Sequence, residues 1–134
     1  MRYLLDTSVY SQPLKKKPLA EVVSRWKQHP ESDYAVSSVV EVEVLYGVFL
    51  SRNPSLVEGY RALLKGRFPV LAFDAACAEM YAAAQAQAAA IGRTYPAFDL
   101  MIGVTALRHG LILATCNTKD FQGIDGLTVE DWSK

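Results

Sequence analysis

The sequence is poor in the residues that build most ligand-holding sites. It has two cysteines and two histidines, and no hydrophobic run long enough to span a bilayer. Cys77 and Cys116 lie far apart, without metal-ligand spacing, and each sits in an apolar segment. A zinc site or a disulfide framework is therefore excluded, and both are expected to be reduced and mostly buried. His29 and His109 stand singly near expected helix ends and are assigned no chemistry. No signal-peptide core fits before Asp6, which predicts a cytoplasmic protein with no membrane contact. Repeats, linkers and low-complexity tails are absent. Net charge is zero, so there is no global basic signal for nucleic acid. The balance is uneven, however. Residues 1–67 carry ten Lys and Arg against seven acids, and residues 68–134 carry four against seven.

The length of 134 residues suits one domain with a real core, spanning residues 1–134. Strand and helix patterns alternate, which predicts an α/β/α domain with a central, mostly parallel sheet flanked by helices. Residues 2–6 read as a buried strand, 13–18 as a lysine-bearing loop and 18–28 as a helix halted before Pro30. A strand is expected at 33–37, helices at 38–51 and from Pro54 to about residue 65, and a short strand at 69–73. Ser38 and Glu41 fit a capping box at the start of the first of these helices. Asp74 suits the N-cap of an alanine-rich helix ending at Gly92. A helix over 97–109 should stop at a left-handed Gly110. A buried strand at 111–114, a loop at 117–126 and a last strand at 127–129 complete the pattern.

Four acids fall at the edges of apolar elements: Asp6 after the first strand, Glu43, Asp99 and Asp120. Carboxylates grouped this way suit Mg²⁺ or Mn²⁺, which prefer oxygen ligands. Such a cation acidifies a water and offsets charge building on a phosphate, which points to phosphodiester chemistry. In an open parallel sheet the site belongs at the carboxyl ends of the strands. Glu41 and Glu43 lie about 200° apart on a helix, so only one faces such a crevice. With Glu41 given to the capping box, Glu43 is chosen. Asp6 has a duller alternative as a turn cap, and Asp99 as a favourable contact with its helix dipole. Gly103 and Ala106 should let the helix carrying Asp99 approach the sheet closely. Ser8, Thr115 and Asn117 are candidates to orient the acids, with Ser8 preferred to Thr7. If the four acids hold metal, the remaining surface is mildly basic, which permits RNA binding.

Taken together, these segments resemble the PIN-domain ribonucleases, specifically the VapC toxins of toxin–antitoxin pairs. The resemblance covers nearly the whole chain. It is carried by Leu4-Leu5-Asp6-Thr7-Ser8-Val9, Glu43-Val44-Leu45-Tyr46-Gly47, Asp99 through Ala106, Thr115 through Phe121, and the tail Gly126 to Trp132. It implies a compact α/β/α fold and Mg²⁺- or Mn²⁺-dependent RNA cleavage. It places the metal carboxylates at Asp6, Glu43, Asp99 and Asp120. It also implies a cognate VapB-type antitoxin that blocks the site, and a toxin homodimer. Cys116 stands where a basic residue is common, and Gly103 where alanine is usual.

Two other classes compete. A phosphoryl-accepting receiver domain would want adjacent acids at the first strand end, where Thr7 and Ser8 follow Asp6. A haloacid-dehalogenase-type phosphatase would want an acid at Ser8. The third class is a metal-free adaptor whose acids only receive basic side chains from a partner.

Overall fold

A computed structural model describes residues 1–134. Strand β1 (Tyr3–Leu5) leads into a four-residue helical turn, α1 (Thr7–Tyr10), then a 3₁₀ turn and helix α2 (Ala20–Lys27). Strand β2 (Tyr34–Ser37) runs directly into α3 (Ser38–Leu50), followed by α4 (Pro54–Leu63) and the short β3 (Val70–Leu71). Helices α5 (Ala75–Ala90) and α6 (Ala97–His109) precede β4 (Ile112–Thr115) and β5 (Val129–Asp131). The strands lie in the order β3-β2-β1-β4-β5, every pairing parallel. The expected parallel sheet between helices is borne out.

The local reasons are mostly those read from the sequence. Asp74 accepts from the Cys77 amide and starts α5. Gly110 takes φ +65° and ends α6. The buried β1, β2 and β4 are almost wholly apolar, as strands covered on both faces must be. At the amino end of β1, Tyr3 packs edge-on against the fully buried Trp132, beside Tyr34 and Trp26. This aromatic end anchors the sheet and leaves the other end of the strands for polar groups. Cys77 is buried, Cys116 is partly buried, and neither is bonded to the other.

Three expectations are corrected. The helix at 38–50 is capped by Ser37, whose oxygen accepts from the Val40 amide at 3.0 Å; Ser38 and Glu41 form no capping box. Glu41 instead accepts from the Tyr10 hydroxyl at 2.5 Å and from the Tyr60 hydroxyl, tying α1, α3 and α4 together. Gly103 does not serve contact with the sheet. A Cβ there would meet Ile124 at 2.9 Å and Leu127 at 3.4 Å, so it lets α6 accept the segment after β4. The last strand begins at Val129, two residues later than expected.

Candidate active site

The sheet order fixes where a site should lie. From β1 the chain builds outward through β2 and β3, then returns to the other side of β1 as β4. The strand order therefore reverses between β1 and β4, and a crevice opens beyond their carboxyl ends. Asp6 stands at this point. Its amide donates to the Ala114 carbonyl at 2.9 Å, which locks the end of β1 to β4.

Asp6 is only 6% exposed, yet its side chain does not cap α1. Two hydroxyls hold it instead. Thr115 donates to Asp6 Oδ2 at 2.7 Å and Ser8 donates to the same oxygen at 3.1 Å. Each hydroxyl is itself oriented by a backbone amide. Asn117 N–H donates to Thr115 Oγ1 at 3.0 Å, and Cys116 N–H donates to Ser8 Oγ at 2.9 Å. Two amides thus aim two hydroxyls at one carboxylate oxygen; no side chain donates to Oδ1, and the Thr7 amide also favours the charged carboxylate. Since no buried side-chain oxygen lacks a partner, Oδ1 is open to the crevice. The turn-cap alternative for Asp6 does not describe this arrangement.

Glu43 is held in the same manner. Thr7, projecting from α1, donates to Glu43 Oε1 at 2.6 Å and leaves Oε2 free. Asp99 lies in the first turn of α6 and Asp120 in the 3₁₀ turn after β4. Neither makes a side-chain hydrogen bond within the chain. Asp99 feels the other three acids, and Asp6 feels Asp120. Burial raises the Asp99 carboxyl to about 6, with repulsion from Asp120, Asp6 and Glu43 adding to it. Burial also pushes Asp6 upward, against the Thr115 hydroxyl, the Thr7 amide and the Ser8 hydroxyl, and Asp120 adds further repulsion.

No lysine, arginine or histidine relieves this charge. The ion pairs of the chain use Glu130, Asp33, Glu58 and Glu31. Four carboxylates, two with one oxygen anchored and the other free, form a donor set suited to a hard divalent cation. No three His, Cys, Asp or Glu side chains converge tightly enough to enclose an ion by themselves. Mg²⁺ retains several waters and takes only one or two carboxylates directly.

The structure places Asp6, Glu43 and Asp120 within electrostatic reach of Asp99, with Ser8 and Thr115 on Asp6. Asn117 contributes its backbone amide, and its side chain makes no hydrogen bond. The sequence favours Ser8 over Thr7, yet Thr7 alone anchors Glu43. Its signal, a hydroxyl directly after the strand-end acid, was present. The helical turn that aims it was not.

The mutual repulsion has a measurable consequence. Between its ordinary value near 3.8 and about 6, Asp99 binds more protons folded than unfolded. The metal-free protein should therefore lose stability as pH rises through this window. Asp99→Asn is expected to raise the Tm in EDTA by a few degrees at pH 7.5 and by little at pH 4.5. Thermal unfolding at the two pH values checks this, and a lower Tm at pH 7.5 would contradict it.

The chain resembles known proteins over nearly its whole length. Residues 3–127 match the family described as PIN domain. A tRNA(fMet)-specific endonuclease VapC of Shigella flexneri is 36% identical over 137 residues, covering 99% of both chains. The crystal structure of FitAcB from Neisseria gonorrhoeae superposes with a TM-score of 0.87 at 30% identity, covering 97% of each chain. VapBC2 from Rickettsia felis, bound to a DNA fragment from its promoter, gives 0.85 at 26% identity, covering 98% of this chain and 99% of that one.

Proposed function

We infer the activity from one premise: the chain belongs to the PIN domain family, as a VapC-type toxin. It is a ribonuclease toxin of a toxin–antitoxin pair, and its partner is a cognate antitoxin. Our reading of the chemistry is hydrolysis of RNA phosphodiester bonds in the crevice at Asp6, with Mg²⁺ or Mn²⁺ held by Asp6, Glu43 and Asp99. Asp120 supports that cation or holds a second one.

The observation that carries this reading is the hydroxyl relay on Asp6, which fixes one oxygen and turns the other into a crevice with no cation of its own. When bound, such a cation lowers the pKa of a water and offsets charge on the phosphoryl oxygens. The residues of the chain supply the rest. Thr115 and Ser8 keep Asp6 at one angle, and Thr7 keeps Glu43 facing it across the α1–α3 contact. Fixed carboxylates avoid reorganisation when charge develops. Water is the nucleophile and the 3′-oxygen the leaving group, so the P–O3′ bond breaks and the expected products carry a 5′-phosphate and a 3′-hydroxyl. Transfer RNA is the first substrate to try, given the similarity to a tRNA(fMet)-specific endonuclease.

We also propose a homodimer. Val42, Tyr46, Phe49 and Leu50 form an exposed stripe along α3, and Phe98 of α6 borders Val42 and Tyr46. Large exposed apolar patches of this kind mark protein interfaces. The stripe is apolar, with Glu43 at its edge, so it suits its own copy across a two-fold axis.

Anchoring of Glu43 makes a specific demand. Thr7→Val is expected to lower cleavage about ten- to a hundredfold, the usual cost of losing a group that orients a metal ligand. Thr7→Ser should restore most of it. Equal activity in Thr7→Val and wild type would remove the positioning role.

Mn²⁺ titration tests the cation reading directly. The wild type should bind Mn²⁺ more tightly than Asp6→Asn, and its affinity should weaken as pH falls through 6, where Asp99 takes up a proton. Equal binding by both proteins would favour a metal-free adaptor.

A further inference from the structure

Beside the acid crevice, between the α1 turn and helices α3 and α4, lies a groove of about 350 Å³. Thr7, Leu14, Lys15, Glu43, Gly47 and Leu56 line it. Glu43 and Thr7 belong to both the groove and the carboxylate group, so whatever fills one reaches the other. Two features of the groove have no use within the chain itself.

The first is Gly47. It sits inside α3 with ordinary helical backbone, where no left-handed turn calls for glycine. A Cβ built there meets nothing within 4 Å, in contrast to Gly103, where it meets Ile124 at 2.9 Å. Glycine weakens a helix relative to alanine, and no contact inside this chain requires it here. Its absence of a side chain keeps the groove wall low.

The second is Lys15. It is exposed, forms no ion pair, and stands at the rim of the groove. Its charge is felt at the Cys116 thiol, across the α1 turn and next to Ser8. Lys15 therefore belongs to a groove that shares Thr7 and Glu43 with the carboxylate group.

We propose that this groove is a nucleotide subsite, holding one nucleotide of the RNA strand beside the scissile bond, with Lys15 on its phosphate and Gly47 against its sugar or base. The inference rests on the ribonuclease reading. The chemistry of the lining favours this occupant. Leu14 and Leu56 offer apolar walls to a sugar or base face, while Lys15 attracts a phosphate. A basic protein segment drawn to the acids would meet repulsion from Lys15 at this rim.

Gly47→Leu and Lys15→Ala test the proposal, with Lys17→Ala as the control. Gly47→Leu should fold normally, since its side chain enters open space, and should bind Mn²⁺ like the wild type. Its KM for RNA is expected to rise about tenfold or more, with a smaller change in kcat. Lys15→Ala should raise KM and reduce the slope of log affinity against log salt by about 0.7, the loss of one single-strand phosphate contact. That slope is read from binding of a fluorescein-labelled single-stranded RNA of mixed sequence to the proteins in an Asp6→Asn background. If wild type cleaves RNA but both variants match it in KM and salt slope, the subsite is wrong and the ribonuclease reading stands. If wild type neither cleaves nor binds RNA, both fall together.

Discussion

Asp6→Asn should leave the fold intact and lower RNA cleavage by at least about a thousandfold. The two halves of this expectation have separate causes. Thr115 and Ser8 both donate to Oδ2, and an asparagine oxygen accepts from them equally well, so the relay survives. The oxygen facing the crevice is replaced by an amide NH₂, a donor that cannot ligate a cation. Stability should not suffer, because Asp6 is buried among like charges and its carboxyl is already pushed upward. The Tm in EDTA should equal or exceed that of the wild type. Turnover at the wild-type rate would refute the assignment of Asp6. An unfolded variant would show that its charge serves structure, contrary to the geometry.

The second large effect falls on an acid two residues from the site. Glu41→Leu should cost about 3 kcal/mol of folding stability and lower the Tm by about 10 °C. Glu41 accepts from the hydroxyls of Tyr10 and Tyr60, one on each oxygen. Tyr10 is 1% exposed and Tyr60 8%, so once the acceptor is gone Tyr60 loses its partner and Tyr10 keeps only the longer bond to the Leu64 carbonyl, at 3.3 Å. Burial, then the bond to Glu41, raises the Tyr60 phenol to about 12, so it remains a donor throughout the working range. Glu41→Gln retains one good acceptor and should cost about 1 kcal/mol. Glu43→Gln should show the opposite profile, losing activity with little change in Tm. Urea or thermal unfolding of the two variants, beside their cleavage rates, distinguishes the acids. If Glu41→Leu proved as stable as wild type, the clamp between α1, α3 and α4 would have no energetic role.

This pair of acids also shows how far the sequence could be read. The helical period separates Glu41 from Glu43 by about 200°, which was enough to send them to opposite sides. The capping box that was to occupy Glu41 depended on Ser38 being the N-cap. The helix instead begins at Ser38 itself and Ser37, the last residue of β2, takes the cap, so the third helical position falls on Val40. Glu41 is released to bind two tyrosines, one 31 residues before it and one 19 after. Nothing local signals contacts of that range. The same limit applies to Thr7. Its hydroxyl was visible, but the four-residue turn that points it at α3 is set by the packing of α1.

Where local chemistry decided, the reading was sound. Asp74 and Gly110 delimit α5 and α6 because a short acceptor at one end and a left-handed residue at the other satisfy backbone groups without tertiary help. The apolar runs of β1, β2 and β4 announced a sheet covered on both faces. Gly103 was recognised as a close-packing position, but its partner lay in the loop after β4, which carries no periodic pattern. Of the candidate orienting groups, Ser8 and Thr115 reach Asp6 through their side chains, whereas Asn117 acts through its backbone.

The most direct test of the account is cleavage of a total RNA pool by purified, antitoxin-free wild-type protein, with Mn²⁺ or with EDTA. Discrete fragments formed with Mn²⁺ and absent with EDTA are the predicted result, and their ends would identify the RNA attacked. Fragments of equal yield in EDTA, or none in either condition from protein shown to be folded, would contradict the claim that these four carboxylates act through a divalent cation on RNA.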